Sequence, residues 1–293
     1  MAGPALLSTY ILTFNSGKYL ARVLAAVQPI SDDLVIIDSG STDQTAEIAA
    51  HYHARFIYRK FDNFKNQRNF AQEQCRHNWV FNLDSDEVPT AACIAAIADL
   101  KQAGFHQQSN GPEAFRIERH WFLLGRKVHC FYPIDSPDFP VRLFRKDVVS
   151  FKTSSNFVHE TPSGFTRSEK IAGPVHHYSC DSIQELYAKL NQYTSLAARD
   201  LQHRGKKATW SKLWLSPVGS WLKWYIKKGG FKDGYIGWIL GRYAFEYSYQ
   251  KYLKLKYDLE TGPDSGSLET EDPVQLNVVR QSQLKDYQDE TES

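Results

Sequence analysis

Trp79-Val80-Phe81-Asn82-Leu83-Asp84-Ser85-Asp86-Glu87-Val88-Pro89 sets an apolar run directly against three carboxylates. The run 79–81 predicts the end of a short buried strand, and Pro89 predicts the opening of the next helix. If the backbone stays extended between them, residues two apart share a side, so Asp84 and Asp86 present their carboxylates together. Paired carboxylates at the carboxyl end of a strand in an open α/β sheet suit a hard divalent cation that substrate phosphates also hold. An isolated Asp-x-Asp is equally what a solvated acidic turn contains. The residues upstream bear on the choice.

Residues 5–14 predict a buried first strand ending at Asn15, and Leu20, Val23, Leu24 and Val27 repeat at helical spacing after it. Residues 34–37 predict a second strand, closed by Asp38-Ser39-Gly40-Ser41, with Ser41 or Thr42 able to cap the following helix. A third strand at 56–58, a helix at 66–75 and a fourth strand at 79–83 continue the alternation. Such alternation implies right-handed crossovers and a mainly parallel sheet, with ligands outside the carboxyl ends of the strands. Asn15, Asp38 and Asp84 all fall at such ends. After a helix at 90–103, strands are expected at 114–118, at 121–130 with a turn at Gly125-Arg126, and at 141–144, 156–159 and 170–178. Ser182 then opens a helix.

Several pieces together resemble family-2 glycosyltransferases of the GT-A fold, and among them the lipopolysaccharide inner-core β-1,4-glucosyltransferase group. They are Ile11-Leu12-Thr13-Phe14-Asn15, the stretch from Val35 through Asp38 to Asp43, Asn63-Phe64-Lys65-Asn66-Gln67-Arg68-Asn69, and Asn82-Leu83-Asp84-Ser85-Asp86-Glu87. Arg142-Leu143-Phe144-Arg145, Val158-His159-Glu160 and His177-Tyr178-Ser179 follow in order. The likeness covers roughly residues 6–200 and weakens towards 257.

The resemblance implies a Rossmann-like α/β fold with helices flanking a mainly parallel sheet, and it implies roles. Thr13 and Asn15 line a nucleotide pocket, Asp38 contacts uracil or ribose, and Arg68 lies near the diphosphate. Asp84 and Asp86 match the motif that holds Mg²⁺ or Mn²⁺ with the diphosphate. His177 matches a C-terminal histidine that completes that site, with adjacent His176 as the alternative. Glu160 matches the catalytic base, although His-Glu stands where Glu-Asp is usual. The residues themselves leave other readings open: Asp38 as a helix cap, Glu160 as an ion-pair partner of Arg142 or Arg145, and Asp135 or Asp138 as base. Trp121 and Tyr132 suit either an acceptor sugar or the core. The chemistry needs such groups, because charge grows on a leaving phosphate while an acceptor hydroxyl gives up a proton.

Composition is that of an ordinary globular chain, with 293 residues, 42% hydrophobic and 23% charged. Cys75, Cys93, Cys130 and Cys180 have no paired spacing, which predicts neither a zinc site nor a disulfide framework and favours a reducing compartment. No signal peptide or spanning run is expected. The net charge of +2 hides three regimes. Lys+Arg against Asp+Glu run 20 to 20 over residues 1–198, 13 to 3 over 199–257, and 2 to 10 over 258–293. With the resemblance, residues 1–205 are expected to be the catalytic domain, and the charge and aromatic content make 206–257 a helical, basic, aromatic segment expected at an anionic membrane surface. Residues 258–293 are expected to be a disordered tail. Plain helical packing and a nucleic-acid surface are the alternatives for the middle segment, and no RNA-binding motif accompanies it. The expected protein is an inverting, metal-dependent enzyme moving a hexose from UDP-glucose to a membrane-linked glycan of lipopolysaccharide-core type. It is expected to be cytoplasmic and peripheral on the inner face of the plasma membrane. A nucleotide-sugar pyrophosphorylase is the rival enzyme, but Thr13-Phe14-Asn15-Ser16-Gly17 lacks its Gly-rich basic loop. A non-catalytic sugar- or nucleic-acid-binding protein is the other alternative.

Overall fold

A computed structural model describes residues 4–105, 111–153 and 160–259. Strands β1 (Leu7–Thr13), β2 (Asp33–Asp38), β3 (Arg55–Tyr58) and β4 (Trp79–Asp84) run parallel in the order β3-β2-β1-β4. Helices α1 (Leu20–Val27), α2 (Thr45–His51) and α3 (Phe64–Gln74) make the crossovers. β1, β2 and β4 are buried almost throughout because helices cover both faces, which is why they read as continuous apolar runs. The register sets Thr13 opposite Asp38 and Leu12 opposite Asp84, so three expected site residues leave the sheet at one edge.

The chain continues through β5 (Glu87–Pro89), α4 (Ala91–Gln102), β6 (Ala114–Leu123), β7 (Arg126–Lys127), β8 (Cys130–Phe131) and β9 (Ile134–Asp135). Then come β10 (Val141–Arg145), β11 (Ser150–Thr153), β12 (Glu160–Ser163) and β13 (Ser168–Cys180). The sheet extends as β4-β10-β6-β13-β5. β10 is antiparallel to both of its neighbours, and β13 is parallel to β6. Together these strands form the mainly parallel, helix-flanked α/β sheet expected from the sequence.

Three local expectations differ from the structure. Pro89 ends β5 instead of opening a helix, and Thr90 caps α4 by accepting from the Cys93 amide. The helix after β2 starts at Thr45, where the Asp43 carboxylate takes the first amide, because Ser41 is already bound to Asp38. The strand expected at 121–130 is the end of β6 plus a hairpin whose turn, Leu124 and Gly125, is left-handed. The strand expected at 156–159 and the acidic tail from residue 260 lie outside the described residues.

Helix α5 (Ile183–His203) is capped by Ser182, as expected, and is followed by α6 (Trp210–Trp221) and α7 (Gly234–Lys254). The expected boundary at 205 falls in the turn between α5 and α6, but it is not a break in packing. Leu240 and Tyr243 of α7 share one core with Trp121, Leu123, Phe131, Leu186 and Leu190. The Asp233 carboxylate also accepts from the His129 amide at 2.9 Å, and Lys228 pairs with Asp135 at 2.7 Å. Gly237 lies so close to the Gly230 carbonyl that an added Cβ would stand 1.8 Å from it. The turn between α6 and α7 is pressed onto α7 there.

Gly173 sets how α4 meets the sheet. It lies where the β6/β13 register shifts, at φ +83°, and a Cβ there would stand 2.3 Å from the Cys93 amide nitrogen. Thr90 seals the same contact, its hydroxyl donating to the Pro174 carbonyl at 2.8 Å. Gly173→Ala combines left-handed strain with overpacking, so it is expected to destabilise the protein by about 3 kcal/mol. Chemical denaturation would read this as a lower midpoint, and an unchanged midpoint would contradict this account of the contact.

Candidate active site

Asp38, at the end of β2, is buried and fully engaged. Its carboxylate accepts from the Thr13 hydroxyl at 2.8 Å, the Gly40 amide at 2.8 Å, the Ser41 amide at 2.7 Å and the Ser41 hydroxyl at 2.5 Å. It thereby fixes the loop after β2 against the end of β1. Asn15, at φ 49°, continues the wall by accepting from the Thr42 amide at 2.8 Å. The Ser16 hydroxyl donates to that of Ser85 at 2.8 Å, which ties this loop to the turn between Asp84 and Asp86. Thr13, Asn15 and Asp38 thus form one rigid rim beside the acidic stretch.

The acidic stretch does not stay extended. β4 ends at Asp84, and Ser85-Asp86 form a turn before β5. Asp84 and Asp86 therefore meet different partners. Asp84 lies between Arg68 of α3, at 2.7 Å, and Arg142 of β10, at 2.8 Å. Arg142 also binds Glu87, whose side chain is fully buried. Arg119 of β6 pairs with Glu87 at 2.8 Å and grips Asp138 through two nitrogens at 3.0 and 2.5 Å. The result is a ladder in which Arg68, Asp84, Arg142, Glu87, Arg119 and Asp138 alternate in sign. Burial works against the Asp84 charge, but Arg68 and Arg142 hold its carboxyl well below the usual carboxylate range.

Asp86 turns to β13, where His177 Nε2 is 3.2 Å from its Oδ2. Burial opposes this carboxylate too, and His177 lowers its pKa. The His177 ring packs on Trp121 at 4.2 Å, and the Trp121 indole N–H donates to Asp138 at 3.0 Å. His177 therefore faces the site. His176 lies on the other face of the strand, against Phe122 at 4.8 Å and His120 at 5.9 Å. Trp121 belongs to the core.

Among the described residues no three His, Cys, Asp or Glu side chains are grouped to hold an ion. The donor set available beside the Arg-bound Asp84 is one free-facing carboxylate and one imidazole, Asp86 and His177. That set fits Mg²⁺ or Mn²⁺ only as ions commonly bound with substrate phosphates, through one or two protein groups.

Of the candidate bases, Glu160 opens β12, and the residues just before it lie outside the described residues. Asp138 spends both oxygens on Arg119 and one of them also on Trp121. Asp135 pairs with Lys228. Sequence reasoning missed Arg119 and read Arg142 only as a partner for Glu160. A signal was present: Phe115, Ile117, Arg119, Trp121 and Leu123 share one strand face, and a lone cation in that row marks a buried ion pair. Lys189 on α5 was missed as well; it donates to the Ser179 carbonyl, two residues past His177.

Removing Arg142 leaves Asp84 and Glu87 with one guanidinium each, so Arg142→Met is expected to cost about 3 kcal/mol at neutral pH. A depressed carboxylate contributes stability above its unfolded pKa and loses it as pH falls through its folded one. The gap between the variant and the parent should therefore narrow below about pH 4. Denaturant titrations across pH would test this, and a gap independent of pH would assign the loss to packing alone.

The model of Glycosyl transferase family 2 matches residues 8–133. The chain is 27% identical over 257 residues to an uncharacterized glycosyltransferase of Rickettsia prowazekii, across 85% of each chain. It is 28% identical over 257 residues to the lipopolysaccharide core biosynthesis glycosyltransferase LpsC of Rhizobium meliloti, across 85% of this chain and 91% of that one. Among solved structures it is similar to glucosyl-3-phosphoglycerate synthase of Mycobacterium tuberculosis, crystallised with Mn²⁺, UDP and glucosyl-3-phosphoglycerate. There the identity is 13% and the TM-score 0.43, over 67% of this chain and 80% of that one. Residues 8–133 carry a Glycosyl transferase family 2 domain, which includes Arg68, Asp84, Asp86, Glu87 and Arg119 of the site but not Asp138, Arg142 or His177, and the chain is a glycosyltransferase.

Proposed function

We propose that the protein is an inverting, divalent-cation-dependent transferase that moves glucose from UDP-glucose to a glycan or glycolipid acceptor of the lipopolysaccharide-core type. The observation that carries the reading is the meeting of Asp86 and His177 beside the Arg68–Asp84–Arg142 bracket, at the carboxyl edge of the sheet. The relative named for lipopolysaccharide core biosynthesis supports the acceptor class.

In this reading the rim of Thr13, Asn15 and Asp38 receives the nucleoside. Asp86 and His177 hold the cation, which when bound supplies Lewis-acid stabilisation to the leaving diphosphate. Arg68 and Arg142, already fixed by Asp84, add positive charge that needs no reorganisation during the reaction. Glu160 takes the proton of the acceptor hydroxyl as its oxygen bonds to the anomeric carbon. The bond from that carbon to the phosphate oxygen breaks, its electron pair leaves with UDP, and the α-linked donor yields a β-linked product. The engagement of Asp138 and Asp135 by cations favours Glu160 as base.

The same reading places the enzyme on the cytoplasmic face of an anionic membrane, without nucleic acid. Trp210, Trp214, Leu215, Val218, Leu222, Ile226, Phe231 and Trp238 are all exposed on α6, α7 and the turn between them. Lys212, Lys223, Lys227 and Lys232 stand among them. Aromatic anchors beside cations suit a lipid interface, and each cation near an anionic leaflet contributes about 1 kcal/mol. Among the described residues no helix is long and apolar enough to cross a membrane.

Asp86→Ala is expected to lower transfer from UDP-glucose by roughly 100-fold or more, and a chelator should silence the parent until Mn²⁺ is restored. Chelator-insensitive turnover would remove the cation from the mechanism. Glu160→Gln is expected to lower turnover by roughly 100-fold while UDP-glucose still binds. Unimpaired turnover would move the base elsewhere. For the membrane arm, the Trp214→Ser, Leu215→Ser, Lys223→Glu, Lys227→Glu variant should lose affinity for phosphatidylglycerol vesicles, most visibly at low salt. Equal sedimentation with vesicles at every salt concentration would return the face to some other use.

A further inference from the structure

The C-terminal helices do more than cover an edge of the sheet. A chain of rings leads from the Asp86 partner into them: His177 to Trp121 at 4.2 Å, Trp121 to Phe131 at 6.3 Å, and Phe131 to Tyr243 of α7 at 5.0 Å. Beyond it, Tyr132, between β8 and β9, packs on Tyr247 of α7 at 4.7 Å. The Tyr247 hydroxyl in turn reaches the Tyr193 carbonyl of α5 at 3.4 Å. We propose that Tyr132, Tyr193 and Tyr247 form the acceptor subsite, a platform for a pyranose ring supplied jointly by α5, α7 and the β8–β9 turn. This deepens the transferase reading above and rests on it.

Tyr132 and Tyr247 pack against the core around Trp121, and three features set this group of tyrosines apart from that core's fully buried members. Their rings are only partly covered, and Tyr193 is 40% exposed. Among the described residues the Tyr132 and Tyr193 hydroxyls have no hydrogen-bond partner, whereas a structural tyrosine usually finds one when buried. Tyr193 also senses the charges of Asp86 and Asp84. Burial, Lys189, Cys180 and then Asp86 and Asp84 all act on the Tyr193 hydroxyl, with a net rise in its pKa. Lys189 is fixed between Ser179 and this cluster, and there burial lowers its pKa while Cys180 and Asp86 raise it above the ordinary lysine value. Apolar ring faces with a few convergent polar groups are what a sugar needs, because its C–H face stacks while its hydroxyls hydrogen-bond.

The test uses the full chain with two probes, delipidated lipopolysaccharide core oligosaccharide and UDP-glucose, each titrated alone by calorimetry. Tyr193→Ala and Tyr247→Ala are expected to raise the oligosaccharide Kd by roughly tenfold each, while Tyr193→Phe, which keeps the ring, loses less. UDP-glucose titrated into the same preparations reports whether the fold and the donor side survive, so a general collapse would show in both probes. An oligosaccharide Kd equal in Tyr193→Ala and the parent, or no oligosaccharide binding by the parent, overturns the subsite. Oligosaccharide binding that depends on these tyrosines, without any transfer from UDP-glucose, would uphold the subsite and count against the proposed reaction.

Discussion

The arrangement of the site depends on one constraint: Asp84, a half-buried anion at the end of β4, needs compensation and receives two guanidiniums. Arg68 arrives from α3 and Arg142 from β10, so this carboxylate ties a crossover helix to the strand on the far side of β4. Glu87 repeats the arrangement between Arg142 and Arg119, and Asp138 ends it. Pairing of this kind gives little net stability over apolar packing, but breaking it is costly. The ladder therefore acts mainly to specify which strands are neighbours and where their charged ends lie. Asp86, just outside it, stays available to His177.

The parallel half of the sheet was legible because its strands are apolar on both faces and its helices carry a 3.6-residue repeat. Asn15, Asp38 and Asp84 could be placed at a common edge from the sequence, since parallel strands end together. What could not be read was direction. Whether residues 85 and 86 continue a strand or turn is decided by which partners wait nearby, and those partners are Arg68 and Arg142, from segments remote in sequence. For the same reason His177 and His176 were indistinguishable as neighbours, since a one-residue shift of register exchanges strand faces. Arg119 was overlooked although its place in an apolar row was visible.

The basic, aromatic segment also shows where composition misleads. Its charge and tryptophans mark it off from the rest of the chain, which suggested a separate unit. Yet α7 buries Leu240 and Tyr243 in a core shared with β6 and α5. Both properties coexist because a helix has two sides, one closing the core behind the site and the other carrying Trp238 outward.

That double use of α7 has a geometric consequence. Trp238 and Tyr247 are nine residues apart on one continuous helix, a rise of roughly 14 Å at 1.5 Å per residue. If the outer side rests at the lipid headgroups, the helix acts as a ruler. A glycan anchored in the same leaflet would be gauged by its height above the bilayer as well as by its chemistry, and a unit too close to the lipid or too far along the chain would miss the reacting centre.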